Sequence, residues 1–391
     1  MRRILALTSI RSEYDLMSRV YELLHRDSEV DLRLLVSGAH LSPSHGMTVR
    51  HIRADGFHVL AEVETLISAD SPSSRLKTAS GLLSGSVDLV RQFAPDVIVY
   101  AGDREDVLIG AMIGGFLGIP TAHFFAGDHA ADGHIDNPVR HATSKLSSAH
   151  FVSIPEHKQR LLALGEAEQR VFVIGSVALD KFRLEPALDV TRILDKIGAK
   201  QHALESPLAI LIFHPIGAEA DCAASYLTNA AQALIEAGYH VCLGAPNTDP
   251  GNFALLTALE QLARQEQVTL YKNLSRAEFV NLFRAAKIIV GNSSAGLLEA
   301  ASLKIPAINV GARQRGRLCG ANVLFTDGDK ASVATAIQTA RSSQFQSMLA
   351  GLANPYGDGY SSEAAAHLLK TVDFSSLLHK TEDPLHVIQR P

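Results

Sequence analysis

A chain of 391 residues exceeds one ordinary hydrophobic core, so two domains of roughly 150–200 residues are expected. Hydrophobic residues make up 47% and charged residues 20%, ample for globular cores, and a formal net charge of −5 with no basic block excludes nucleic acid as the natural partner. Cys222, Cys242 and Cys319 lack CxxC spacing and read as reduced thiols of a cytoplasmic protein, and no apolar run approaches the ~18 residues that span a bilayer, so no membrane partner is expected.

The opening MRRILALTSI superficially resembles a signal peptide, but its apolar run is short and breaks at Arg11, Ser12 and Glu13. It reads as a first core strand. Short apolar strands then alternate with helical stretches, the pattern of parallel α/β layers. Strands are predicted at 3–8, 32–37, 97–101, 121–125, 150–153 and 171–174, with helices at 13–26, 76–93 and 106–117. A second series places strands at 208–213, 240–244, 269–271, 288–291 and 307–310, and helices at 221–237, 253–265, 276–286 and 295–303. The polar, Gly- and Pro-bearing stretch 175–207 reads as a linker, and 374–391 as a loose tail. The fold class is α/β: two Rossmann-like, doubly wound domains facing across a cleft, at 1–175 and 176–355, followed by a C-terminal segment at 356–391.

In open α/β sheets ligands sit beyond the carboxyl ends of the strands, so the residues after each strand are the candidates. Arg11 follows the first strand, where it would meet a phosphate or serve as a surface arginine at a helix start. His40 lies in a polar loop after the second strand, either over a ligand or in a simple turn. After residues 97–100 comes Gly102-Asp103-Arg104-Glu105-Asp106. Asp103 suits acid/base work or a helix N-cap. The next strand delivers His123, Asp128, His129, Asp132, His134 and Asp136, then Arg140, His141 and Lys145. Their spacing matches no compact zinc signature, so no metal is expected. Carboxylates whose pKa values are pushed apart are the commoner equipment for proton transfer, and His129 offers an imidazole, a side-chain type also used for that task. His123, ending an apolar run, reads equally well as a satisfied core residue.

In the second half His214 ends a strand, and Asn247 sits in the 246–251 loop, which either caps a base or only turns. The most telling stretch is 288–317. An apolar run meets Gly291-Asn292-Ser293-Ser294, a helix carrying Glu299 follows, and a second apolar run leads to Arg313, Arg315 and Arg317. Such a turn offers free N–H groups and a positive helix end to an anion. Glu299 is then within reach of sugar hydroxyls. The same residues also make an ordinary capped helix.

Taken in order, TSIRSEYDLM, SGAHLSPSHG, AGDRED, RHATSKLSSAHF, GNSSAGLLEA, GARQRGR and NPYGDG resemble the UDP-N-acetylglucosamine 2-epimerase family, nearest to its hydrolysing branch of sialic and legionaminic acid synthesis. The resemblance runs to about residue 370. It implies a GT-B type fold with catalytic carboxylates in the first domain, diphosphate binding in the second, and a C-terminal helix returning to the first. It further implies a nucleotide-linked 2-acetamido sugar as substrate, no cofactor, and a homodimer or homotetramer. By motif position Asp103, Asp128 and Asp136 resemble the acid/base carboxylates. Arg11, His214, Ser293, Ser294, Glu299 and Arg313 match nucleotide and diphosphate contacts, with His40, Arg104, Arg140 and Asn247 as further binding candidates. One departure stands out. The hydrolysing branch reads HIHGGE, three residues, then GxxD, whereas this chain reads HFFAGDHAADGHID. Aligned from the left Asp128 replaces the glutamate; aligned from the right His129 does. Losing one methylene moves a carboxylate by about an ångström, worth ~100-fold in rate if uncompensated. A non-hydrolysing 2-epimerase, a GT-B glycosyltransferase and a nucleotide-sugar binder are the competing readings, and the sugar and its nucleotide (UDP or GDP) stay open.

Overall fold

The computed structural model describes residues 1–67, 71–130, 135–214, 219, 221–245, 252–272 and 274–387. They form two compact units, the first from residues 1–129, 135–181 and 359 onward, the second from 182–358.

The first unit is built on β1 (Arg2–Thr8), β2 (Val30–Ser37), β3 (Val59–Val63), β4 (Val97–Ala101), β5 (Thr121–Phe124), β6 (Ala149–Val152) and β7 (Val171–Val173). All pair in parallel in the order β3-β2-β1-β4-β5-β6-β7. Its helices are α1 (Arg11–His25), α2 (Val49–Ala54), α3 (Pro72–Phe93), α4 (Glu105–Leu117), α5 (Asp136–Leu146) and α6 (Pro155–Ala163), and α7 (Asp180–Leu184) begins in this unit and ends in the second. Strands buried on both faces read as unbroken apolar runs, and side chains alternate between the faces. Ile4 and Ala6 therefore pack with Met17, Val20 and Tyr21 of α1, while Leu5 and Leu7 pack with residues of α3 and α4. Each buried aliphatic or aromatic side chain contributes roughly 1.5–3 kcal/mol.

The second unit holds β8 (Leu208–Ile212), β9 (His240–Gly244), β10 (Val268–Tyr271), β11 (Ile288–Gly291), β12 (Ala307–Val310) and β13 (Val323–Thr326), parallel in the order β10-β9-β8-β11-β12-β13. Its helices are α8 (Val190–Lys196), α9 (His202–Glu205), α10 (Ala223–Glu236), α11 (Asn252–Leu262), α12 (Arg276–Ala285), α13 (Ala295–Leu298), α14 (Lys330–Arg341) and α15 (Ser343–Ala350). α12 begins with a reciprocal capping box: Ser275 Oγ accepts the Glu278 N–H at 3.3 Å, and the Ser275 N–H donates back to the Glu278 carboxylate at 2.8 Å.

The chain then returns to the first unit as α16 (Ser361–Thr371), followed by the short α17 (Pro384–Val387). Ala365 and Leu369 join the core around α1. The start of α16 is capped across the chain by the buried Asp180, which accepts the Ser361 and Ser362 N–H groups at 3.1 and 2.5 Å.

Three expectations need correction. The stretch 175–207 is not an open linker: it carries α7, α8 and α9, and Phe182, Ile193, Leu194 and Ala203 are buried in a core cluster. The segment after 373 is not a loose tail through residue 382, because Phe374 is buried and Lys380 and Glu382 are held by ion pairs. The helix expected at 295–303 is the single turn α13 followed by a 3-10 turn at Ala300–Leu303, so Glu299 sits at the junction rather than along a regular helix.

Candidate active site

In the first unit the strand order reverses between β1 and β4, and polar loops gather where those strands end. Asp103 lies one residue beyond Gly102 and is held by Arg140 of α5, whose Nη2 donates to Asp103 Oδ2. The Arg140 Nη1 donates to the Asp128 backbone carbonyl at 2.9 Å. One largely buried guanidinium therefore joins the β4 end to the loop after β5. Asp128 Oδ1 accepts its successor's backbone N–H at 2.8 Å and faces His157 Nε2 at 3.3 Å. The loop can turn there because Gly127 has φ +72°, where a Cβ would lie 2.4 Å from the His157 carbonyl oxygen.

His123 is fully buried. Its Nε2 lies 2.8 Å from the Gly102 carbonyl, which can only accept, so Nε2 carries the proton and Nδ1 faces the Ser144 hydroxyl at 3.1 Å as the acceptor. Burial pushes its pKa down to about 3. The imidazole is a neutral strut for the Asp103 turn. His129 is exposed and stacks on His141 with ring centroids 5.8 Å apart. Asp136, the first residue of α5, lies 3.9 Å from Arg75, which grips Glu105 at 2.6 Å. Arg104, half exposed, lies 4.0 Å from Glu105 and 3.9 Å from Asp106.

Arg11 opens α1 and its Nε donates to Asp15 at 3.3 Å. His40 is fully enclosed, its ring nitrogens 3.1 Å from Thr8 Oγ1 and 2.8 Å from Thr48 Oγ1, with burial lowering its pKa to about 4. From that position it fixes the loop after β2. Glu13 lies in the first turn of α1. It is buried beside Asp106, and burial followed by the Asp106 charge raises its carboxyl well above the usual range.

In the second unit the order reverses between β8 and β11. Gly291 ends β11 with φ +127°, and a Cβ there would stand 1.9 Å from the Ile212 carbonyl oxygen. The next residue, Asn292, is fully buried. Its Oδ1 accepts the His214 N–H and its Nδ2 donates to the His214 carbonyl, both at 2.7 Å. Its own carbonyl accepts from Arg313 Nη1 and Gln314 Nε2, both at 3.0 Å. The loops after β8, β11 and β12 are thus pinned by one side chain and one peptide group. Asn292 and Gln314 were not among the residues singled out as binding candidates; a buried amide directly after a strand glycine was the available signal. Ser293 and Ser294 follow, and the Ser293 hydroxyl accepts the Ala295 N–H at 3.4 Å. Glu299 is buried and accepts from Arg276 Nη2 at 3.2 Å; Arg276 itself lies over the Phe182 ring, 4.6 Å from its centroid. Asn247, Asp132 and His134 lie outside the described residues.

Two doubly wound parallel sheets, each with its polar loops at the switch point, define a two-domain α/β protein of the GT-B type. A family model for UDP-N-acetylglucosamine 2-epimerase matches residues 22–370, and the chain belongs to that family of enzymes. It is 31% identical over 380 residues to the UDP-N,N'-diacetylbacillosamine 2-epimerase (hydrolyzing) of Legionella pneumophila, covering 97% of this chain and 98% of that one. It is 29% identical over 392 residues to the GDP/UDP-N,N'-diacetylbacillosamine 2-epimerase (hydrolyzing) of Campylobacter jejuni, covering 97% and 98%. The crystal structure of UDP-GlcNAc 2-epimerase from Neisseria meningitidis bound to UDP-GlcNAc superposes with a TM-score of 0.76 at 18% identity, covering 94% of this chain and 99% of that one, a likeness of fold.

Proposed function

We propose that this enzyme is a hydrolysing 2-epimerase of nucleotide-linked 2-acetamido sugars, including the 2,4-diacetamido class named for its relatives, and that the free sugar it releases serves nonulosonic acid synthesis. The observation that carries the reading is Arg140 joining Asp103 to the Asp128 loop. One guanidinium that grips the Asp103 carboxylate and the backbone carrying the Asp128 carboxylate holds two groups suited to opposite proton transfers, provided they act on opposite faces of a sugar carbon.

One of the pair removes the proton from carbon 2 while the C1–O bond to the nucleoside diphosphate breaks, leaving a glycal-like alkene. Water then adds its oxygen at carbon 1 and a proton arrives at carbon 2 from the other face. The products are the free 2-epimeric sugar and the nucleoside diphosphate. Between the two alignments of this motif, which is one residue longer than the family pattern, we favour Asp128 over His129. Asp128 is oriented by His157 and by Arg140 through its own carbonyl, whereas His129 is exposed and stacked on a second imidazole. We assign Asp136 a supporting charge role beside Arg75.

The leaving diphosphate develops negative charge as the C1–O bond breaks, and donors aimed at such charge lower the barrier. We assign this task to Arg313 and the backbone of Ser293 and Ser294, with His214 alongside and Glu299 on the ribose, its carboxylate steadied by Arg276. Arg11 and Arg104 remain candidate phosphate or sugar contacts, while His40 is assigned to loop structure. Free thiols at Cys222, Cys242 and Cys319 agree with a cytoplasmic enzyme.

The test is proton NMR in deuterated water with UDP-N-acetylglucosamine, its GDP counterpart and a UDP-2,4-diacetamido sugar in parallel. A free epimerised sugar deuterated at carbon 2, with nucleoside diphosphate accumulating, is expected from at least one donor. Epimerised sugar still bound to nucleotide would replace the hydrolysing reading with the non-hydrolysing one. Unchanged donors in every tube would refute both.

A further inference from the structure

Arg140 can hold Asp103 and the Asp128 loop in register only as well as α5 is itself held, and the last carbonyls of any helix lack partners within it. At the end of α5 the Lys380 ammonium donates to the Ser144 carbonyl at 3.1 Å and the Lys145 carbonyl at 3.0 Å. Its remaining N–H goes to Glu166 Oε2 at 2.6 Å. All three donors of the ammonium are thereby used, and a cation at a helix C-terminus also complements the dipole.

Glu166 is buried and serves more than Lys380. Its Oε1 accepts from Lys145 at 2.7 Å and its Oε2 accepts from His150 Nε2 of β6 at 2.8 Å. Ser144, whose carbonyl Lys380 grips, also meets His123 through its hydroxyl, and His123 supports the Gly102 carbonyl next to Asp103. A continuous set of hydrogen bonds thus runs from the C-terminal segment to the candidate carboxylates along α5 and through His123.

We propose that Lys380 is a positioning residue for the reaction: it fixes the C-terminal end of α5 and, through that helix, the placement of Arg140 against Asp103 and Asp128. The inference rests on the assignment of those two carboxylates to proton transfer. The same segment supplies its own control. Two residues on, Glu382 is gripped by Arg170 at 2.8 and 3.2 Å, and none of these bonds reaches α5. If the segment merely adds stability, loss of either ion pair will act alike.

The experiment compares K380M, K380R and E382Q with the full-length wild type. Melting temperature, hydrogen exchange of the α5 amides, and kcat and KM for nucleoside diphosphate release are measured on each. K380M and E382Q are expected to lower the melting temperature by similar amounts. K380M alone should speed exchange in the last turn of α5 at least tenfold and lower kcat roughly 10- to 100-fold with KM little changed, the scale of a misplaced catalytic group. K380R should recover most of both. Equal exchange and equal kcat in K380M and E382Q would overturn the proposal. A wild type that releases no diphosphate from any donor would instead refute the hydrolysing reading, and the exchange contrast would still decide whether Lys380 holds α5.

Discussion

Replacing Asn292 with alanine tests the organisation of the second switch point most directly. The backbone bonds of residue 292 to Ile212, Arg313 and Gln314 survive in alanine, so only the two side-chain bonds to His214 are removed. A buried hydrogen bond contributes about 1 kcal/mol net, and a partner left unsatisfied costs about 1–3 kcal/mol. The partly buried His214 peptide loses these two bonds, so a destabilisation of about 2–4 kcal/mol is expected. Urea unfolding reads this as a lower midpoint with an unchanged slope. If His214 and Arg313 both face the diphosphate, loosening the first should also weaken UDP binding, on the order of tenfold for about 1.4 kcal/mol, measurable by titration calorimetry. Asn292→Asp keeps the acceptor but turns the Nδ2 donor into an oxygen facing the His214 carbonyl, and should be worse on both counts. An alanine variant with wild-type midpoint and wild-type UDP affinity would refute the reasoning.

His40 and His123 are neutral in the fold, with pKa values of about 4 and 3, and titrate near 6.5 once unfolded. Their stabilisation is full above pH 6.5 and is lost as pH falls, because the unfolded chain takes up protons that the fold refuses. Near pH 5, where the unfolded imidazoles are mostly charged and the folded ones mostly neutral, the slope is roughly 2.5 kcal/mol per pH unit for the two together; a melting temperature flat from pH 7 to 5 would contradict it. Gly291→Ala sets a Cβ 1.9 Å from the Ile212 carbonyl oxygen at φ +127°, so a loss of ~3 kcal/mol or more and failure to bind UDP are expected, against near-normal behaviour if β11 can shift. Glu13→Gln removes a carboxyl whose raised pKa costs the fold stability as pH climbs from the ordinary glutamate range, where the unfolded chain ionises, towards the raised value. The variant should match the wild type in acid and exceed it in stability at pH 8, and a less stable variant at pH 8 would show that Glu13 works ionised. Asp103→Asn should lower kcat by ~10²–10⁴, the scale of a lost general acid or base, with the fold retained by circular dichroism.

The strands most legible in the sequence are those buried on both faces. β9, β11 and β12 were bounded correctly because a central parallel strand is a short apolar run with sharp polar ends. The edge strands β3 and β13 were missed: their residues are largely half-buried or exposed, and VLAEV or VLFT carries little signal alone. The stretch 175–207 looked like a linker because its helices are short and set between Gly and Pro; Phe182, Ile193 and Leu194 earn their burial from distant partners such as Phe283. Strand ends pointed to Asp103, Asp128 and Ser293 as candidates. No local pattern announces that Arg140 reaches back 37 positions to Asp103, or that Asn292 reaches back 78 to His214. Such contacts depend on topology, and residue types alone do not encode them at short range.

The first unit is sewn from segments far apart in sequence, with α16 packed beside α1 and Arg2 donating to the Leu369 carbonyl at 2.8 Å. During synthesis, therefore, α1 leaves the ribosome well before the helix that covers it. Met17, Val20 and Tyr21 stay without their final cover until Ala365 and Leu369 have emerged, whereas residues 182–358 are complete as a contiguous insert before that. The nascent chain thus carries that apolar face without its cover until α16 is made, and a stop codon shortly after 358 would leave the face open for good.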